Sequence, residues 1–243
     1  MQMMLKVVNV NKYFSNFQVL NNLNISIKKG EKISIVGPSG SGKSTLLRCL
    51  NRLEKIQSGE IWIDGERIDK VKNNVLIRQK VGFVFQSYNL FPHLNLKNNI
   101  TLALRHVKKI NKIESEQIAF DVLKKVHLED KLNSFPLELS GGQQQRGAIA
   151  RILALDPPII LFDEITSALD PELINEVLDV LRELSKTGKT MIIVTHEIGF
   201  AREISDRVLL FDKGKIIEEG IPEEIFDNPK TDRAKNFFSK ILK

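Results

Sequence analysis

Hydrophobic and polar positions along the chain change period several times. Up to about residue 65 they alternate in short runs, "KVVNV" (6–10), "LNISI" (23–27), "KISIVG" (32–37) and "EIWIDG" (60–65), which predicts strands. Gly30 after Lys28-Lys29 and the pair Asp64-Gly65 punctuate them, and the second is a hairpin signal. From Ser44 to Leu53 the spacing of Leu46, Leu47, Leu50 and Leu53 predicts a helix. A strand "VGFVFQ" (81–86) leads into "SYNLFPHLNL", where Pro92 and the asparagines signal a loop. Between about Asn89 and Leu155 helical spacing dominates, with Ser115 as the expected N-cap of a face made by Ile118, Val122, Leu123 and Val126. Strands return at "IILF" (159–162) and "TMIIVTH" (190–196), separated by the amphipathic helix "PELINEVLDVLRELSK". "VLLFDKG" and "KIIEEG" predict a last hairpin, and "TDRAKNFFSKILK" a helical tail.

This order predicts one α/β domain interrupted by a helical lobe, with the core over about 1–88 and 155–243 and the lobe over about 89–154. The 243 residues are 42% hydrophobic and 27% charged, the balance of a soluble globular protein. Apolar runs such as "PPIILF" fall far short of the roughly 20 residues of a membrane span, and the N-terminus lacks a signal-peptide pattern. Cys49 is the one cysteine, so no internal disulfide forms, and its place in a helical pattern predicts a buried spectator thiol in a reducing, cytoplasmic compartment. The net charge of +6 is spread in short pairs such as Lys108-Lys109, without interleaved aromatics, which argues against nucleic acid as a partner.

"GPSGSGKST" (37–45) fits G-x-x-x-x-G-K-[ST] through Gly37, Gly42, Lys43 and Ser44, between a predicted strand and a predicted helix. Each part has a physical task. The small residues Pro38, Ser39, Gly40 and Ser41 let successive backbone N–H groups turn toward phosphate oxygens, and the helix start at Ser44-Thr45 adds a positive partial charge. Lys43 supplies a full charge to the β and γ phosphates, and the Ser44 hydroxyl coordinates Mg²⁺. The strand "IILF" runs straight into Asp163-Glu164, and buried carboxylates need a partner. Mg²⁺ opposite Ser44 provides one for Asp163, and Glu164 is placed to polarise an attacking water. Gln86 and His196 each end an apolar run, so Gln86, Asp163-Glu164 and His196 are all expected on one rim beside the phosphate loop.

A second phosphate-like stretch, "LSGGQQQ" (139–145), combines small residues, a hydroxyl and a helix start. With "GPSGSGKST", "FQ" at 85–86, "ILFDE", "SALD" and "TH", all in this order, it closely resembles the ATP-binding subunits of ATP-binding cassette (ABC) transporters, over essentially the whole chain. "LSGGQQQRGAIARILALDP" and the tail after residue 217 look most like bacterial importers of polar amino acids. The resemblance implies an α/β fold: a P-loop NTPase (RecA-like) core, an antiparallel β subdomain and an inserted α-helical subdomain. It further implies an ATPase using ATP and Mg²⁺, as a head-to-tail homodimer with two composite sites. Ser140, Gly141, Gly142 and Gln143 then serve the partner's γ-phosphate in trans, and Asp170 lies in a dimer-contact loop. On the same basis Glu164 is the catalytic carboxylate and His196 the γ-phosphate sensor. Gln86 contacts metal and water, completing a metal set with Ser44 and Asp163. Phe14, with Tyr13 as the alternative, stacks on adenine beside Val19. The segment after Gln86 is expected to grip integral membrane permease subunits, served by an extracytoplasmic substrate-binding protein, at the cytoplasmic face of the membrane.

Two positions depart from the family pattern. Ile165 follows Glu164 where proline is usual, which leaves the turn less fixed. Gly147 stands where an apolar residue is usual and costs about 1 kcal/mol in a helix relative to alanine. A soluble P-loop kinase is the alternative from another class, but it gives no reason for "LSGGQ" or "SALD"; an ABC ATPase for another cargo or for cell division would share nearly every motif.

Overall fold

The computed structural model describes residues 2–241. β1 (Met3–Phe14) and β2 (Phe17–Lys28) form a long hairpin, and β3 (Lys32–Val36) delivers the phosphate loop to α1 (Lys43–Leu50). β4 (Ser58–Ile63), β5 (Glu66–Arg67), α2 (Asn74–Lys80) and β6 (Val81–Val84) follow. Next come α3 (Leu96–His106), α4 (Lys112–Lys124) and α5 (Gly141–Leu153). The remainder holds β7 (Ile159–Asp163), α6 (Pro171–Ser185), β8 (Thr190–Val194), α7 (Ile198–Ile204) and β9 (Arg207–Asp212). β10 (Lys215–Gly220), α8 (Pro222–Asp227) and α9 (Asp232–Ile241) complete it, and positions 242 and 243 of the predicted tail lie outside the described residues.

Two sheets result. One is antiparallel, in the order β2-β1-β4-β5; the other runs β10-β9-β3-β8-β7-β6, parallel from β9 to β6, with β10 antiparallel at its edge. Alternation along the parallel strands explains why both faces are covered. Ile159 and Leu161 of β7, with Ile192 and Val194 of β8, join the antiparallel sheet and α1 in one core. Ile160, Phe162, Met191 and Ile193 point the other way, into a second core with α3–α6. Val208 and Leu210 of β9 enter a third, under α8 and α9. Apart from Ser34 in β3, strands apolar on both faces leave their polar residues at the strand ends, which is where the chemistry collects.

The structure corrects several local expectations. Ser115 is not an N-cap: Asn111 caps α4 by accepting from the Glu114 N–H, and Ser115 is buried inside the helix, its hydroxyl donating to Lys112 O (2.8 Å) and accepting from Arg105 Nε (2.9 Å). An asparagine three residues before a glutamate is the better cap because its carboxamide reaches the free N–H of the first turn. The helix after the phosphate loop ends at Leu50, not Leu53; Asn51 donates to Val81 O at 2.6 Å and Arg52 turns the chain at φ 58°. Strand β6 stops at Val84, so Gln86 lies in the loop beyond it. Asp64-Gly65 does form a tight turn, both residues at positive φ (49° and 77°), as a two-residue hairpin of this hand requires.

Cys49 is fully buried, and burial pushes its thiol up to about 12. The native chain is therefore expected to resist alkylation by iodoacetamide at pH 8 and to react fully once denatured. Labelling of native protein at the rate of a free thiol would contradict this packing.

Candidate active site

The phosphate loop is shaped by close approaches that only glycine tolerates. At Gly37 (φ 150°) a Cβ would lie 2.0 Å from Phe211 O, and at Gly42 (φ 106°) it would lie 2.7 Å from Val19 O. The loop is also clasped from outside, where Gly214 in the β9–β10 turn donates to Ser41 O (2.8 Å) and accepts from Asn21 N (3.0 Å). Its concave side opens on a cavity of 260 Å³ lined by Val19, Ser39, Gly40, Gly42, Lys43, Ser44, Thr45 and Glu164.

These residues fit a polyphosphate. Lys43 is almost fully buried, its Nζ donating to Gly37 O (2.9 Å) and Pro38 O (3.0 Å), so a full positive charge faces the loop's hollow. Burial lowers its pKa, opposed by Glu164 and Asp163. The Ser41 hydroxyl is buried without a partner among the described residues, an acceptor or donor left over for a ligand. Helix α1 begins here with no side-chain cap, its first N–H groups open to an anion.

Beside it stand the acids. Ser44 Oγ donates to Asp163 Oδ1 at 2.6 Å, bringing two hard oxygens together as a small divalent cation such as Mg²⁺ requires. Asp163 is 3% exposed; burial raises its pKa against the Ser44 hydrogen bond and the charge of Arg48. Glu164 sits at φ 48°, its N–H donating across to Val194 O (3.0 Å), which turns the side chain out of the strand. Its Oε1 lies 3.2 Å from His196 Nε2 and 3.7 Å from Lys43 Nζ. Ile165, the departure noted above, is buried in the second core, so side-chain packing fixes the turn that a proline ring would otherwise constrain.

Gln86 reaches this cluster indirectly. Its Nε2 donates to Ser167 Oγ (2.9 Å), which donates in turn to Glu164 O (2.8 Å); it makes no hydrogen bond to Ser44 or Asp163. Ser167 opens the "SALD" motif, but nothing in the sequence assigned its side chain a role beside Gln86. Ser140, Gly141, Gly142, Gln143 and Asp170 do not line the cavity at all. Ser140 caps α5: its Oγ accepts from Gln143 N (3.3 Å) while Gln143 Oε1 accepts from Ser140 N (3.1 Å). The serine hydroxyl thus accepts within its own chain and keeps its hydrogen to give. Asp170 precedes α6 with no side-chain cap bond.

The segment 85–90 around Gln86 is laid along α5. Gln145, fully buried, donates to Phe85 O (3.2 Å); Arg151 donates to Asn89 O (2.7 Å); Leu90 Cδ1 would lie 3.6 Å from a Cβ at Gly147. Leu96 Cδ2 would come within 2.8 Å of the same Cβ, so glycine at 147 is explained by a leucine occupying the space of the missing side chain. Sequence reasoning missed Gln145 because a buried glutamine within a polar run has no periodic signature.

Comparison with known proteins decides the family. The model of the ABC transporter family matches residues 20–167. The chain belongs to the ABC transporter family. It is 55% identical to the glutamine transport ATP-binding protein GlnQ of Geobacillus stearothermophilus, over 96% of this chain and 97% of that one. It is 52% identical to the glutamate transport ATP-binding protein GluA of Corynebacterium efficiens, over 98% and 99%. Among solved structures it is similar to the dimeric ATP-binding cassette MJ0796 in a post-hydrolysis state bound to ADP and Pi, with a TM-score of 0.81, 39% identity, and coverage of 90% of this chain and 99% of that one. This ABC protein is therefore an ATPase cassette with the α/β fold of a P-loop NTPase.

Of the residues expected beside adenine, Val19 lines the cavity and Phe14 does not, although Phe14 stands exposed on the same hairpin. Tyr13 is held by its backbone to Gln57, donating to Oε1 (2.9 Å) and accepting from Nε2 (3.1 Å).

Burying these charges carries a cost in stability. A carboxyl whose folded pKa lies above its unfolded value loses stability as pH rises through that window, so burial of Asp163 sets its ionisation against the stability of the native state. Asp163→Asn is expected to raise the melting temperature of the nucleotide-free cassette by about 2–4 °C and to shrink the further rise given by Mg-ATP. Scanning fluorimetry reads both; a lower melting temperature in the free variant would contradict the assignment.

Proposed function

We propose that this chain is the motor subunit of an importer of polar amino acids, in which two copies pair head to tail around two ATP molecules. The observation that carries this reading is a division of labour. Lys43, Ser44, Asp163, Glu164 and His196 converge on one cavity, whereas the second anion-ready segment, Ser140–Gln143, lies outside it. A hydroxyl with a hydrogen to give and a helix start then serve the nucleotide of the other copy, in trans. The cargo follows from relatives named for glutamine and glutamate transport.

In this scheme Lys43 binds the β and γ phosphates and releases its contact with Glu164. Bound Mg²⁺, held by Ser44 and Asp163 with Gln86 nearby, would neutralise phosphate charge. Glu164 accepts the proton of the attacking water, whose oxygen bonds to the γ-phosphorus as the bridging bond to ADP breaks. His196, 3.2 Å from Glu164, orients that carboxylate and senses the γ-phosphate. Closure and reopening pass to permease subunits through the loop after Gln86, where Phe91 is exposed. Among the described residues no helix is long and apolar enough to cross a membrane, so attachment at the cytoplasmic face would be peripheral. An extracytoplasmic binding protein delivers the amino acid.

Three measurements test this. Glu164→Gln is expected to bind ATP, lose at least about 100-fold in turnover and trap a dimer on size-exclusion chromatography; undiminished phosphate release would defeat the role of Glu164. Lys43→Ala and Ser140→Arg chains are each expected to be inactive alone and to regain part of the activity when mixed, since one composite site stays intact. Continued inactivity of mixed dimers would sink the trans arrangement. Co-purified with its membrane subunits in lipid, the ATPase should respond to glutamine or glutamate with the binding protein present, and a lack of response to every polar amino acid would overturn the cargo.

A further inference from the structure

We propose that Lys12 is a positioning residue for the nucleobase: a buried ammonium set beneath Phe14 that fixes the plane of the ring and strengthens its outer face as a stacking platform. The inference rests on the reading above that Phe14 stacks on adenine. Lysine is almost never buried unless paired, yet Lys12 is 5% exposed in β1. Two groups hold it: Nζ lies 2.9 Å from Glu54 Oε2 and donates to Lys55 O at 2.9 Å. Both belong to the segment that follows α1, the helix opened by the phosphate loop.

Strand alternation puts Lys12 and Phe14 on one face of β1, and Nζ stands 4.5 Å from the centroid of the Phe14 ring. Phenylalanine has no polar atom to set its attitude, so the ring takes its orientation from what lies against it. A cation on one side is attracted by the negative face of the ring. It also draws π density toward itself, leaving the opposite face less negative and better suited to an electron-rich purine in an offset stack. Phe14 remains 45% exposed, and with one face covered by the ammonium that exposure belongs to the other face and the edge.

The register of the hairpin brings this platform to the phosphates. Lys12 pairs with Leu20 and Tyr13 with Gln18, so Val19 is an extra residue in β2, and it lines the cavity around Lys43. The chain from Glu54 through Lys12 to Phe14 therefore links the end of the phosphate-loop helix to the base site. Lys12 touches no substrate; its effect passes through Phe14.

Binding of Mg-ATP and of Mg-tripolyphosphate, which lacks a base, separates this role from a structural one. In the full-length chain, Lys12→Met is expected to weaken Mg-ATP binding about three- to fivefold and leave tripolyphosphate binding unchanged. Lys12→Gln, which keeps a donor for Lys55 O, should do the same if the methionine variant folds poorly. Lys12→Arg, retaining the cation, should restore ATP affinity to within about twofold of the starting protein. In a Phe14→Leu background the lysine substitution should have no further effect on the ratio of the two affinities. Equal losses for both ligands, or an unchanged ratio in the Lys12 variants while Phe14→Leu alters it, would overturn the role of Lys12 and spare the stacking assignment. An unchanged ratio in Phe14→Leu itself would overturn that assignment, and the proposal with it.

Discussion

A positive charge withdrawn from water governs the architecture around the nucleotide site. Lys43 lies buried at the start of α1, and two backbone carbonyls with two carboxylates nearby take the place of its hydration shell. That requirement explains why the loop must curl back on the ammonium, why Gly37 and Gly42 occur where a Cβ would collide with backbone oxygens, and why β7 ends in acids beside it. The parallel sheet makes the convergence unavoidable. Its strands bury apolar side chains on both faces, so the polar residues at their carboxyl ends have only the rim on which to gather.

The parts of this arrangement most readable from sequence are those with a strong period or a rigid local rule. Runs such as "IILF" and "TMIIV" show the parallel strands, and Asp64-Gly65 shows its turn. Less readable were features in which one residue type serves two structural purposes. The first hairpin was read only as two short runs, 6–10 and 23–27; in the structure its strands are twelve residues each, Asn9 and Asn22 adopt positive φ within them, and the irregular register absorbs both. Helices α2, α7 and α8 are seven, seven and six residues long, too short to display a helical period, and none was anticipated.

Of the candidate site, the phosphate loop, the acidic pair and His196 were visible because each sits at the end of a patterned element. The linkers between them were not. Ser167, Gln145 and Lys12 act through contacts with residues 81, 60 and 42 positions away, and no local pattern reports such a distance. Gly147 and Ile165 likewise look like weaknesses in one dimension. In three dimensions the first is a recess filled by Leu96 and the second an anchor in the core.

The Gly214 turn has a consequence for how a ligand is received. By holding Ser41 with its N–H and Asn21 with its carbonyl, it rivets the cradle to the neighbouring sheet. Conformational freedom in that stretch is surrendered when the polypeptide folds, so little remains to be lost when an anion arrives. An incoming polyphosphate meets a mould already set, and the energy of its contacts is left over for drawing two molecules together.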